Sequence, residues 1–331
     1  MLYFFISCAA EARTIDKIVV FGDSLSDNGN FFEMTDKSIP KEPPYFKGRF
    51  SNGPVWIELL AKNLKLDITS KLQFTDYAFA LAWASDATEN GSGGLVSLSW
   101  EINNYLEQDP THGEAAKNNL FVLWIGSNDY LTGRPNEDAE VVTDNAIKFI
   151  QQGVERLIKD GARHFLIINL PDLGETPTAK EGGNAFIKRL SFLSTMHNQK
   201  LSRMIAQLSL QHPEIEFTPY DLIPIFNDII QNPEKYNYKN VSLPCYMGGY
   251  GTTGTDNNAD TLSIKGHNID LRRYPSVREA YRISLAENDE SDFCSNPNEY
   301  LFWDHVHPTA ATHQLIAKFV MELFVTQYAK S

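Results

Sequence analysis

Cysteine is scarce in this chain. Three occur among 331 residues, too few for a disulfide scaffold, and no CxxC or Cys/His cluster has the spacing of a zinc site. Basic charge is also short: 29 Lys and Arg stand against 42 Asp and Glu, a formal net charge of -13 with pI near 5.1. That balance argues against nucleic acid as a partner and against long-range attraction to anionic membranes. Contact with a membrane or micelle surface would have to be transient, local and apolar. No later stretch is long and apolar enough to span a bilayer, and no internal repeat occurs. The remaining composition, 42% hydrophobic and 21% charged, is ordinary for a globular enzyme.

Residues 1–12 (MLYFFISCAAEA) read as the end of a secretory signal, with an apolar run from Leu2 to Ile6 and a small-x-small site at Ala10-Glu11-Ala12. Cleavage would leave a secreted chain, extracellular or periplasmic, beginning near residue 13. If Cys8 leaves with the signal, Cys245 and Cys294 remain as an even pair in an exported protein, which predicts a disulfide.

The chain is organised around Val19 to Asn30. Ile18 to Phe21 form a short apolar, β-branched run, expected to be a strand buried on both faces. Gly22 ends it, and small polar residues follow, of the kind that cap a helix. Ser24 is therefore expected at the carboxyl end of a parallel strand, where open α/β folds bind ligands and where free N–H groups can meet an oxyanion. The competing reading is that Ser24 only caps a helix. Further strands are expected at Leu120–Ile125, Phe165–Ile168 and, weakly, Glu216–Thr218. Helices are expected near Val55–Leu64, Ser97–Glu107, Val142–Ile158, Phe186–Leu208 and after Thr309. This alternation predicts a three-layer α/β/α domain with a parallel sheet. Residues 231–296 break the rhythm, and Gly248–Asn258 within them reads as a mobile loop.

Gly22-Asp23-Ser24-Leu25, Asp76-Tyr77-Ala78-Phe79-Ala80-Leu81-Ala82, Gly126-Ser127-Asn128-Asp129 and Asp304-His305-Val306-His307 stand in the order of four sequence blocks. Together they resemble the GDSL, or SGNH, family of serine hydrolases. The resemblance runs from Lys17 to Gln327 and is nearest to the secreted bacterial lysophospholipase A and glycerophospholipid–cholesterol acyltransferase types. It implies a flavodoxin-like parallel sheet in a single domain, 13–331, with a loop insertion at about 231–296. Ser24 is the implied nucleophile, His307 its base and Asp304 the orienting carboxylate. The N–H groups of Ser24 and Leu81 and the amide of Asn128 are the implied oxyanion hole. At block two the family typically has Asn-Tyr-Ala-x-Gly-Gly-Ala. Ala80 and Leu81 replace its glycines, and a backbone donor needs no glycine unless φ is positive or space is tight.

The chemistry of these residue types agrees. A serine hydroxyl needs a base, and histidine supplies one near neutral pH when a carboxylate fixes its tautomer. His305 competes with His307, but adjacent residues usually point apart. A metal reading of Asp304-His305-Val306-His307 lacks a further cluster of ligands, and no cofactor is expected. His112, His164, His197, His212, His267 and His313 read as surface or packing residues. Leu81, Trp83, Phe302 and Trp303 flank the blocks as candidates to line an acyl channel, although packing is the favoured role for any one of them. The expected substrate is a lipid ester such as a lysophospholipid. A short-chain esterase, an acyltransferase and an inactive surface-binding protein are the alternatives. A protease acting between Cys245 and Cys294 is an expected activating partner, because that loop is Gly-rich and tethered beside Asp304.

Overall fold

The computed structural model describes residues 15–86, 95–132, 137–248, 260–264, 267–285 and 292–328. The signal reading of residues 1–12, with Cys8, lies outside the described residues. So do Gly91, Gly93, Gly94 and most of the Gly/Thr/Asn stretch.

The centre is a five-stranded sheet of β1 (Lys17–Gly22), β2 (Phe74–Asp76), β3 (Asn119–Trp124), β4 (His164–Ile168) and β5 (Glu216–Tyr220). All pairings are parallel, in the order β2-β1-β3-β4-β5. This is the flavodoxin-like order, whose switch point falls between β1 and β3. Every residue of β1 and β3 is buried. Continuous apolar runs such as Ile18–Phe21 and Leu120–Leu123 follow from cover on both faces. Pro219 is tolerated in β5 because that strand is an edge.

Helices cover the sheet as α1 (Asn30–Met34), α2 (Trp56–Asn63), α3 (Leu98–Gln108), α4 (Ser127–Leu131), α5 (Ala139–Asp160), α6 (Pro177–Glu181), α7 (Gly183–Gln211), α8 (Ile223–Gln231), α9 (Pro275–Leu285) and α10 (Ala310–Tyr328). Helix α2 packs on α10, while α3 packs on α5 and α5 on α7, giving the two outer layers. The long helices run a turn or so beyond their apolar stripes. In α5 the Asp138 carboxylate caps the start, and Gly161, at φ 118°, closes the end. At the amino end of the sheet, Lys17 is buried and its Nζ lies 2.6 Å from Asp109 Oδ1.

The 231–296 span, expected as a loop insertion, carries regular structure of its own. Strand β6 (Asn240–Pro244) pairs with β9 (Tyr300–Phe302), β7 (Thr261–Ile264) and β8 (His267–Asp270) form a hairpin, and α9 follows. Leu262, Leu271, Val277 and Ala280 build a second core with Phe31, Tyr45, Phe50, Leu81, Tyr246 and Trp303. The apolar residues of these short elements are few, so the polar stretch between them dominates the sequence pattern. Cys245 and Cys294 are joined by a disulfide.

Candidate active site

Gly22 ends β1 because β3 passes too close for a side chain: a Cβ there would meet the Trp124 carbonyl oxygen at 2.6 Å. The chain then turns, with Ser26 and Asp27 donating their N–H groups to the Asp23 carbonyl at 3.0 Å each. Ser24 sits in this turn rather than directly on a helix N-terminus, since α1 begins only at Asn30. The delay has a cause in Asp27. Its Oδ1 accepts the Gly29 and Asn30 amides at 2.7 and 2.6 Å, and its Oδ2 accepts those of Phe31 and Ala80 at 3.1 and 2.7 Å. One carboxylate thus caps α1 and fastens the second block to the first.

His307 and Asp304 lie in the loop between β9 and α10. Asp304 Oδ1 accepts the Val306 and His307 amides at 2.8 and 2.7 Å, so the loop folds around its own carboxylate. His307 Nδ1 is 2.8 Å from Asp304 Oδ2, and His307 Nε2 is 2.8 Å from Ser24 Oγ. Burial opposes the charged form of Asp304. The adjoining His307, the Tyr45 hydroxyl and the His307 amide outweigh it and hold the carboxyl below its ordinary range. An anionic Asp304 fixes the His307 proton on Nδ1 and leaves Nε2 to accept from Ser24. His305 turns away: its Nε2 faces the Met247 carbonyl at 3.1 Å and its Nδ1 faces Glu181 at 2.7 Å. Among the described residues no group of three or more His, Cys, Asp or Glu could hold a metal ion.

Asn128 opens α4 beyond β3, next to the switch point. Its Nδ2 donates to the Ala82 carbonyl at 2.9 Å, which spends one amide proton and leaves the other. Asp129 accepts from the Ala84 and Ser85 amides at 2.8 and 3.1 Å, so the third block holds the second. Leu81 adopts φ 65°, the left-handed region, and its side chain is buried in the second core. Positive φ is the condition under which glycine is ordinarily required, which explains why the departure at this position is conspicuous. Neither the Ser24 nor the Leu81 amide makes a hydrogen bond among the described residues.

Ser24, Asn128 and His307 share one open cavity, with apolar walls from Trp124, Leu131, Leu173, Phe226, Ile230 and Phe302. Of the four residues weighed between packing and an acyl channel, Phe302 lines this cavity. Leu81 and Trp303 pack into the second core, and Trp83 is buried away from the cavity, the role favoured for each. Large side chains next to a motif in sequence need not face the same way as the motif.

Several residues at the site carry no sequence signal. Tyr45 donates its hydroxyl to Asp304 Oδ2 at 2.6 Å. Glu101, buried on α3, accepts the Gly22 and Phe79 amides at 3.0 and 3.2 Å. His197 is fully buried beside Gly126, where a Cβ would meet its Cε1 at 2.7 Å. Burial lowers the His197 pKa to about 3, so the ring is neutral when its Nδ1 meets the Tyr130 hydroxyl at 2.7 Å. His197 and His313 are packing residues, as expected. His112, His164 and His212 do have acidic neighbours, at 3.7, 2.9 and 3.6 Å, away from the cavity.

The sequence model of GDSL-like lipases/acylhydrolases matches residues 18–320. A phosphatidylcholine-sterol acyltransferase of Aeromonas hydrophila is 29% identical, over 97% of this chain and 93% of the relative. A thermolabile hemolysin of Vibrio parahaemolyticus is also 29% identical, over 95% of this chain and 65% of the longer relative. A GDSL esterase/lipase of Arabidopsis thaliana is 27% identical, over 90% of this chain and 85% of the relative.

Proposed function

The chain belongs to the GDSL-like lipase/acylhydrolase family, and from that premise we propose that it is an exported serine esterase that hydrolyses lipid esters, lysophospholipids foremost. The observation that carries this reading is the line of contacts from Asp304 through His307 to Ser24, ending at an apolar cavity. Ser24 Oγ attacks the ester carbonyl as its proton passes to His307 Nε2, and Asp304 stabilises the imidazolium. The oxyanion accepts hydrogen bonds from the Ser24 and Leu81 amides and the remaining proton of the Asn128 amide. The tetrahedral intermediate collapses, the imidazolium protonates the departing alcohol, and the acyl group stays on Ser24. Water, deprotonated by His307, then releases the fatty acid.

The apolar walls suit an acyl chain, and each methylene buried there contributes about 0.8 kcal/mol. That favours a lipid over a short-chain ester. The Cys245–Cys294 disulfide suits an oxidising compartment. Transfer of the acyl group to an alcohol is a second reading, favoured by the name of the Aeromonas relative. It uses the same acyl-enzyme with a different acceptor.

A fluorophosphonate probe should label Ser24 in the wild type, and Ser24→Ala should neither label nor release fatty acid. Labelling at another serine would sink the assignment. Products from a panel of phospholipids and lysophospholipids, with and without added sterol, separate hydrolysis from transfer.

A further inference from the structure

Tyr45 follows the proline-rich segment Pro40–Pro44, and nothing in the four sequence blocks includes it. Its side chain is buried, 3% exposed. The hydroxyl donates at 2.6 Å to Asp304 Oδ2, the oxygen that also lies 2.8 Å from His307 Nδ1. Asp304 Oδ1 is fixed by its own loop, through the Val306 and His307 amides. Oδ2 has no such local support. Among the described residues, the side chains that hydrogen-bond Asp304 are His307 and Tyr45. The Tyr45 ring is held as well. Phe50 packs on it at 5.7 Å between centroids, and Tyr246 meets it edge-on at 5.9 Å. Phe50 also lies 5.0 Å from the His307 ring. Two rings therefore fix where the hydroxyl points, and one of them reaches the imidazole.

We propose that Tyr45 is a positioning residue for ester hydrolysis, locking the Asp304 carboxylate in the orientation that serves His307. The role rests on the proposed action of Ser24, His307 and Asp304. A buried carboxylate with one firmly held oxygen can still rotate about its last bond. Each rotation weakens the grip on Nδ1 and swings Nε2 away from Ser24. A charge-assisted O–H donor on the second oxygen removes that freedom. It also draws electron density from the carboxylate, which tempers how strongly Asp304 stabilises the imidazolium. Tyr45 does not line the cavity, so substrate binding should not change.

Other groups face this pair. Asp23 acts on His307 from the turn after β1, and His313 acts on it from α10. Tyr246, on the insertion, lies within electrostatic reach of both Asp304 and Asp292. Tyr45→Phe leaves all of them in place, which makes it the informative variant.

The experiment measures steady-state hydrolysis of a soluble chromogenic ester by the full chain over a range of pH. Tyr45→Phe should lower kcat about tenfold, the effect of one hydrogen bond to a charged group. KM should stay within about twofold, so that the loss falls on kcat alone. The thermal transition should remain cooperative. In an Asp304→Asn background the same change should cost far less, because the hydroxyl then has no carboxylate to hold. Equal losses in both backgrounds, or an unchanged kcat, would overturn the proposal. Failure of the underlying reading looks different: the wild type itself would then not take a fluorophosphonate at Ser24.

Discussion

The two ends of the central sheet bury charge in opposite ways. At the amino end Lys17 and Asp109 neutralise each other, with Thr111 and Tyr77 completing the hydrogen bonds. At the carboxyl end Asp23, Asp27, Glu101 and Asp129 are all buried, and none pairs with Lys or Arg among the described residues. Backbone amides are their main partners: four on Asp27, two on Glu101, two on Asp129 and one on Asp23. An ion pair holds two points of the fold together. A carboxylate ringed by amides shapes the chain around it, and here the shaped chain carries Ser24, Leu81 and Asn128. That shaping has a cost in protonation. Burial raises Asp23 to about 7 and Asp27 and Asp129 to about 6, against their amide donors, and Glu101 well above its ordinary value.

If the ends divide the labour in this way, substitutions should separate rate from stability. The largest effect is expected at His307→Ala, a loss of about 10⁴-fold or more in kcat, with cooperative unfolding retained. His305→Ala should be far milder in the same assay, since its ring faces Met247 and Glu181. At the other end, Lys17→Ala leaves Asp109 buried without its cation and should cost about 3–5 kcal/mol in denaturant unfolding. Its activity per folded molecule should be unchanged; a fall would break the comparison.

Asn128→Ala should lower kcat by about 100- to 1000-fold, the range for one oxyanion donor. The smallest effect is expected at Asp23→Asn, read as melting temperature against pH. The folded-state pKa of Asp23 lies above the ordinary 3.8. Its protonated form therefore stabilises the fold at acid pH, and that contribution is lost as pH rises through about 7. Asparagine does not titrate. The variant's melting temperature relative to wild type should rise by several degrees between about pH 4 and pH 8. A flat difference would mean that Asp23 is not held above its ordinary value.

Much of the architecture is legible in the sequence because parallel strands covered on both faces appear as unbroken apolar runs, as at Ile18–Phe21 and Leu120–Ile125. The pairing of Asp304 with His307 is legible because it is local, closed within one loop. What stayed hidden is what depends on distant chain. Tyr45 and Asp304 are 259 positions apart, and no spacing rule joins them. Glu101 reads as an ordinary helix residue until its carboxylate is found against Gly22 and Phe79. The hairpin and helix of the insertion escaped because their apolar residues are sparse and pack on Phe31 and Phe50 rather than on one another alone. Trp83 and Trp303 are buried, as the favoured packing role has it, but nearness to a motif says nothing about which core a side chain joins.

Leu81 ties the proposed chemistry to the order in which the chain is made. A left-handed torsion at a leucine is unfavourable by about 1–2 kcal/mol, so the neighbouring sequence alone does not hold it. The side chain is held by burial among residues that include Leu262, Leu271 and Val277. These emerge from the ribosome long after the Ser24 turn, and Asp304 and His307 emerge later still. On the proposed mechanism, a chain truncated before the insertion would carry Ser24 without Asp304 or His307. The proposed chemistry is therefore complete only once the last of these segments has been made.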